Sequence, residues 1–153
     1  MKITEMLPRE FVIEELKTRN KREVLAELAD VFAKGRIKVG LDAILHILLE
    51  RERLGSTGIG DGIAIPHGKI AGLDEMVVSF GRSREGIAFE AMDGKPVHLF
   101  FLLMAPENSA GQHLKVLAKI SRMLKDPAFR KNLLEAKRHE DLCRIIAEKD
   151  DEC

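Results

Sequence analysis

The sequence predicts an α/β fold in which a mixed β-sheet is sandwiched by α-helices within a single domain. Three observations carry this expectation. Apolar residues recur at helical spacing in segments such as Val24, Leu25, Leu28, Val31 and Phe32, near the start of the chain, and again in its last third. Between these segments lie strand-like runs at residues 76–82 and 97–105, rich in β-branched and aromatic residues. An Asp93-Gly94 pair precedes the second run, which is a hairpin signal. Helices on either side of a central block of strands pack as layers on a sheet. No repeat, low-complexity tract or linker divides the chain, so residues 1–153 read as one domain.

The elements follow in order. Phe11, Val12 and Ile13 predict a short opening strand. Asn20 is placed to cap a helix that runs to residue 34. A second helix is expected over residues 41–53, with Leu41, Ile44, Leu45 and Leu48 on its apolar face and Gly55 ending it. The Asp-Gly turn joins residues 87–89 to the strand at 97–105. Three further helices are expected over residues 110–125, 127–136 and 139–148. Ser109 and Gln112 fit a capping box at the first of these, with Ser109 as the N-cap.

Composition narrows the function classes. Lysine plus arginine number 25 and aspartate plus glutamate also number 25, so the formal net charge is zero. A nucleic-acid binder carries a basic excess or stripe, and this chain has neither, which points to proteins or small molecules as partners. Hydrophobic residues make up 45% and charged residues 33%, a balance that supports a packed core. A core of this size needs neither a metal nor a disulfide. The two cysteines, Cys143 and Cys153, form no CxxC pair, which suits a reducing cytoplasm. The opening residues lack the apolar core of a signal peptide. The longest apolar run, residues 99–105, falls far short of the roughly 20 residues needed to span a bilayer. The expectation is a cytoplasmic protein with no direct membrane insertion.

Residues 55–68 read GSTGIGDGIAIPHG, with five glycines among fourteen positions. Such clusters mark tight turns or close backbone approach, and successive backbone N–H groups in turns can form an anion-binding concavity. Pro66 stiffens the approach to His67, and Gly68 leaves the backbone free just after it. The pattern suits an imidazole presented to another protein's reactive group. A plainer reading stands beside it, in which the stretch is a long surface turn and His67 an exposed bystander. Two other phosphate loops are excluded. The glycines at 58, 60 and 62 do not complete GxGxxG and follow a helix, and no GK[ST] triplet occurs.

The run GSTGIGDGIAIPHGK, with Glu50, Arg51, Glu52, Arg53 and Leu54 ahead of it, resembles the active-site signature of enzyme IIA proteins of the mannitol/fructose type. These belong to the bacterial phosphoenolpyruvate-dependent phosphotransferase system, and the likeness extends to its nitrogen-related regulatory branch. It covers nearly the whole chain, including GKPVHLFFLLMAPE and HLKVLAKISRML. The resemblance implies that His67 accepts phosphate from a histidine-containing phosphocarrier protein and passes it to a IIB domain, or that a regulatory partner senses the phosphorylated state. It implies reaction at Nε2 and no cofactor. Neutral imidazole suits this work, because one nitrogen attacks while the other stays hydrogen-bonded.

Transfer of a metaphosphate-like group depends on positioning and positive charge. The resemblance implies an upstream arginine, and Arg51 and Arg53 stand 16 and 14 residues before His67. Helical geometry favours Arg51, which follows Ile44 and Leu48 along the buried face; Arg53 lies on a polar stripe and suits a solvated helix end. The second imidazole of the family corresponds to His113, 46 residues after His67. It falls in the first turn of a helix, in line with Leu117, Ile120 and Leu124, where the helix dipole attracts phosphate and disfavours a charged ring. The expectation is a neutral or weakly basic His113 that donates to the phosphoryl group, against the plainer alternative of a satisfied helix-start histidine.

His46 is expected on a polar helix face, His98 on a strand, and His139 four residues before Cys143 as a packing pair. No zinc-like spacing joins any of them, so no metal is expected. The docking surface is expected around His67, with Ile59 and Ile63. The competing function is a phosphorylation-independent regulatory interaction domain of the same fold. A hydrolase with His67 as base lacks a paired serine or carboxylate constellation.

Overall fold

The computed structural model describes residues 2–35 and 37–153. Its first strand, β1 (Val12–Ile13), follows two 3₁₀ turns, and Phe11 belongs to the second of these rather than to the strand. The first helix, α1 (Lys21–Asp30), is capped as the sequence predicts, since the Asn20 side chain accepts from the Glu23 amide at 2.9 Å. Residues Val31–Lys34 continue it as a 3₁₀ turn, so the α-helix is shorter than its apolar periodicity suggests.

Helix α2 (Leu41–Arg53) has the expected bounds, and Ile44, Leu45 and Leu48 are buried. Leu41 is a correction. It sits in the first turn and stays exposed, because the turn lies at the edge of the packed face.

The remaining elements are β2 (Gly58–Gly60), β3 (Ile63–Ala64), β4 (His67–Ile70), β5 (Val77–Ile87), β6 (Val97–Pro106), α3 (Ala110–Leu124), α4 (Pro127–Glu135) and α5 (His139–Glu152). The strands form one mixed sheet in the order β1-β5-β6-β3-β2, with β4 also on β6. Strands β5 and β6 form the antiparallel hairpin that Asp93-Gly94 predicts. Strands β3 and β4 run parallel to β6, and β1 runs parallel to β5.

Residues alternate across β5, and this separates the two helix layers. The Ser79 hydroxyl donates to the Leu28 carbonyl of α1 at 2.8 Å, whereas the buried Arg82 guanidinium donates to the Leu133 carbonyl of α4 at 2.8 Å. Helices α1 and α2 therefore cover one face, and α3 and α4 pack on the other. A strand covered on both faces reads as a continuous apolar run, and Leu99 through Ala105 are all buried.

The glycine-rich stretch corrects the sequence expectation of a long loop. It folds as a tight hairpin, β2 against β3, whose turn residues Asp61 and Gly62 have φ of 57° and 75°. A two-residue turn with two positive φ values is the one that Asp-Gly favours. Beyond it, β3 and β4 hold the same register on β6, Ile63 opposite Leu99 and His67 opposite Leu103. They are one strand interrupted at Ile65-Pro66. Pro66 has no amide to give to the ladder, while the Ile65 amide points to the other edge and donates to the Thr57 carbonyl at 3.1 Å, extending the β2–β3 pairing. The Pro66 carbonyl still accepts from the Leu103 amide at 2.9 Å, which keeps the register.

Candidate functional site

His67 opens β4 at the interruption, so a strand rather than a loop carries it. The Ile65 carbonyl points away from β6 toward Thr57, whose amide donates to Glu52 instead, and His67 Nδ1 lies 2.8 Å from that oxygen. A carbonyl only accepts, so Nδ1 holds the ring proton and Nε2 carries the lone pair. Burial lowers the His67 pKa from 6.5, the Arg51 charge lowers it further, and the bond to Ile65 and the Glu52 charge raise it. The net direction is downward, which keeps the ring neutral at neutral pH.

The next residues alternate about the strand. Gly68 faces α2, where a Cβ would lie 2.5 Å from Ile47 Cγ2; the missing side chain lets helix and strand approach closely. His67 and Lys69 share the opposite face. There His113, in the first turn of α3, brings its ring centroid to 5.5 Å from that of His67, at an interplanar angle of 61°.

His113 is 6% exposed, and its Nδ1 makes no hydrogen bond among the described residues. A charged imidazole needs acceptors for two N–H groups, and a buried N–H without one is costly, so the neutral ring is favoured. Its pKa is indeed lowered from 6.5, by burial first, then by His67 and Lys69. The direction matches the sequence expectation, and burial leads the causes. The capping box is a further correction. Ser109 is the residue before the helix, but its hydroxyl donates to the Pro106 carbonyl at 2.6 Å and makes no cap bond to the helix.

Arg51 lies in the last turn of α2, half-buried, with Nη1 donating to the Gly55 carbonyl at 2.8 Å and its charge acting on His67. Arg53 is exposed and pairs with Glu50 at 2.9 Å, a surface contact of little weight. Arg51 is thus less exposed than Arg53, in the direction the helical spacing predicts, although the buried residue of this turn is Glu52. The His67 and His113 rings lie side by side, and the Arg51 charge reaches His67.

The other histidines lie apart from this group in their bonding. His46 is exposed, and His98 Nδ1 bonds the Ser83 carbonyl at 2.9 Å. His139 Nε2 lies 2.9 Å from the Arg9 and Val12 carbonyls, and Nδ1 lies 3.8 Å from Cys143 Sγ, in keeping with packing. Of the expected docking residues, Ile59 is 45% exposed, but Ile63 is buried, because its strand position turns it into the core.

Sequence reasoning missed Glu52 and Thr57. Glu52 is 8% exposed and Thr57 is 3% exposed. The Glu52 carboxylate accepts from the Thr57 amide at 3.1 Å, from the Thr57 hydroxyl, and from Lys21 Nζ at 3.0 Å. A glutamate beside an arginine near a helix end looks like an ordinary solvated face, and only the fold buries it. The one signal was its place directly after the upstream arginine.

The chain belongs to the family described as "Phosphoenolpyruvate-dependent sugar phosphotransferase system, EIIA 2", whose model matches residues 5–149. It is 40% identical over 149 residues to the nitrogen regulatory protein of Bradyrhizobium diazoefficiens, covering 96% of this chain and 95% of that one. It is 37% identical over 150 residues to the fructose-specific EIIABC component of Bacillus subtilis, covering 98% of this chain and 24% of that longer protein. The crystal structure of nitrogen regulatory protein IIA-Ntr from Neisseria meningitidis matches with a TM-score of 0.88 at 35% identity, covering 94% of this chain and 98% of that one. The resemblance read from the glycine-rich run is thereby borne out, as is the fold class. Family membership gives the chain a phosphotransfer or regulatory role in that system.

Proposed function

We propose that the chain is a phosphocarrier in which His67 Nε2 accepts a phosphoryl group from a histidine-containing phosphocarrier protein. The observation that carries this reading is the 2.8 Å bond from His67 Nδ1 to the Ile65 carbonyl, which leaves Nε2 as the nucleophile beside a second imidazole. In the transfer, the donor's N–P bond breaks and its electron pair returns to the donor ring. The Nε2 lone pair forms the new N–P bond, and no proton moves. The loaded His67 ring keeps its Nδ1 proton and takes on positive character, which the Ile65 carbonyl stabilises. Arg51 and His113 act on the phosphoryl side, one by charge and the other by donating a hydrogen bond.

The onward step goes to a IIB domain or is read by a regulatory partner. The fructose-specific relative favours the first, and the nitrogen regulatory relatives favour the second. Exposed Leu54, Ile59 and Leu114, each next to a site element, supply an apolar rim for docking. We take residues 1–153 as one such domain, working in the cytoplasm without a cofactor or nucleic acid. Among the described residues, no helix is long and apolar enough to cross a membrane.

The test is incubation with phosphoenolpyruvate and the general phosphotransferase proteins, read by intact mass and acid lability. One acid-labile phosphoryl group is expected, and H67A should take none. Equal labelling of H67A would remove His67 from the reaction. A parent chain that stays unlabelled while binding its partners would favour the phosphorylation-independent alternative.

A further inference from the structure

Four residues link the end of α2 to the reactive ring through consecutive hydrogen bonds. Glu52 accepts from the Thr57 amide and hydroxyl. The Thr57 carbonyl accepts from the Ile65 amide at 3.1 Å, and the Ile65 carbonyl accepts from His67 Nδ1 at 2.8 Å. The turn between Glu52 and Thr57 is fastened a second time, where Arg51 reaches the Gly55 carbonyl. The Glu52 carboxylate is itself held by Lys21 Nζ, which lies 4.7 Å from the centre of the Phe89 ring and 3.7 Å from Glu90.

We infer that Glu52 is a positioning residue for phosphoryl transfer: its buried carboxylate clamps Thr57 to the last turn of α2, fixing Arg51 and His67 relative to each other, while its negative charge favours the ring's positive form. This rests on the phosphocarrier reading. A free carboxylate on an exposed helix end would do neither job, since solvent would screen it and nothing would hold it. Arg51 and Glu52 are successive residues with opposite effects on His67: the guanidinium lowers the ring's pKa and the carboxylate raises it. One serves the incoming dianion and the other serves the ring. On the other side of the ring pair, Lys69 acts on His113, as does His67 itself.

The test compares E52A, E52Q and T57V in the full chain. Phosphoryl uptake is measured at saturating donor, alongside the donor concentration for half-saturation and the His67 titration midpoint by NMR. Folded E52A should load about tenfold or more slowly, with half-saturation unchanged, because the misplacement affects the reaction and not docking. E52Q keeps an acceptor for Thr57 and should recover most of the rate, yet its His67 midpoint should fall because a nearby negative charge is gone. T57V, which retains the amide bond, should load several-fold more slowly than the parent with its midpoint unmoved.

Parent-like loading by folded E52A or by T57V would overturn the inference, as would E52Q loading as slowly as E52A. If E52A does not fold, E52Q and T57V decide the matter. If the parent chain takes up no phosphate, the phosphocarrier reading falls on its own account. The midpoint still tests Glu52 in that case, and an unchanged value in E52Q would overturn its coupling to the ring.

Discussion

Gly68 offers the sharpest test of how the site is assembled. In G68A the new Cβ would lie 2.5 Å from Ile47 Cγ2. Carbon atoms rest at about 3.5–4.0 Å, so the two elements must separate by about 1 Å or more. Overpacking of this kind costs about 1–3 kcal/mol, because a close-packed interior does not yield locally. The functional cost should be larger than that figure suggests. Ile47 stands one helical turn before Arg51, and Gly68 directly follows His67, so prying α2 from β4 moves the guanidinium away from the ring. Displacement by about 1 Å can cost about a hundredfold in rate, and a loss of at least about tenfold is expected here.

Urea unfolding measures the first effect, and the rate of phosphoryl uptake at saturating donor measures the second. A second substitution separates steric conflict from any general effect of the added methyl group. I47A removes Cγ2, so the pair G68A/I47A should be more stable than the two single costs imply, by about 1 kcal/mol or more. Stability of G68A within about 0.5 kcal/mol of the parent, together with parent-like uptake, would refute the reasoning. So would strict additivity in the double variant.

Two further outcomes are expected. R51A should slow uptake far more than R53A, because Arg51 acts on His67 while Arg53 pairs with Glu50 at the surface; equal rates in the two variants would remove Arg51 from the site. Acid should also weaken the fold through the two imidazoles. Both folded pKa values lie below 6.5, so the unfolded chain binds more protons in that range, and stability present above 6.5 is lost as pH falls through the window beneath it. Asp126 and Asp150, also lowered, begin to contribute only near 3.8 and below. Urea midpoints at about pH 7.5 and about pH 5.5 should therefore separate more for the parent than for H67Q/H113Q, and equal separation would count against the assignment.

Much of the architecture was legible because it depends on periodicity. The apolar stripe of α2, the Asn20 cap and the hairpin at Asp93-Gly94 each leave a local mark that the fold keeps. The family, and with it the candidate site, was legible by a different route, through a long motif whose residue order carries His67. What the sequence concealed are features that depend on tertiary partners. A run with five glycines shows no strand alternation, so β2 and β3 were invisible until β6 supplied the ladder. Leu41 has the right spacing for burial and no neighbour to bury against. Ile63 falls in a stretch that reads as surface and is core. Glu52 and Thr57 are five residues apart across a helix end, a spacing with no regular meaning, and Arg82 shows only in three dimensions that it ties α4 to the sheet.

The placement of His67 on a strand in register with buried Leu103 bears on how a partner would distinguish the two forms of such a carrier. A histidine on a pliant segment could announce its cargo by rearranging that segment. Here the backbone beneath the ring is stitched to the middle of the sheet, and a small charged group cannot pull it loose. On the proposed function, the loaded and empty proteins would present nearly the same contour and differ in the sign and strength of the field above it. A binding partner would therefore discriminate by where it puts its own cations and anions, and salt should blur that discrimination more readily than temperature.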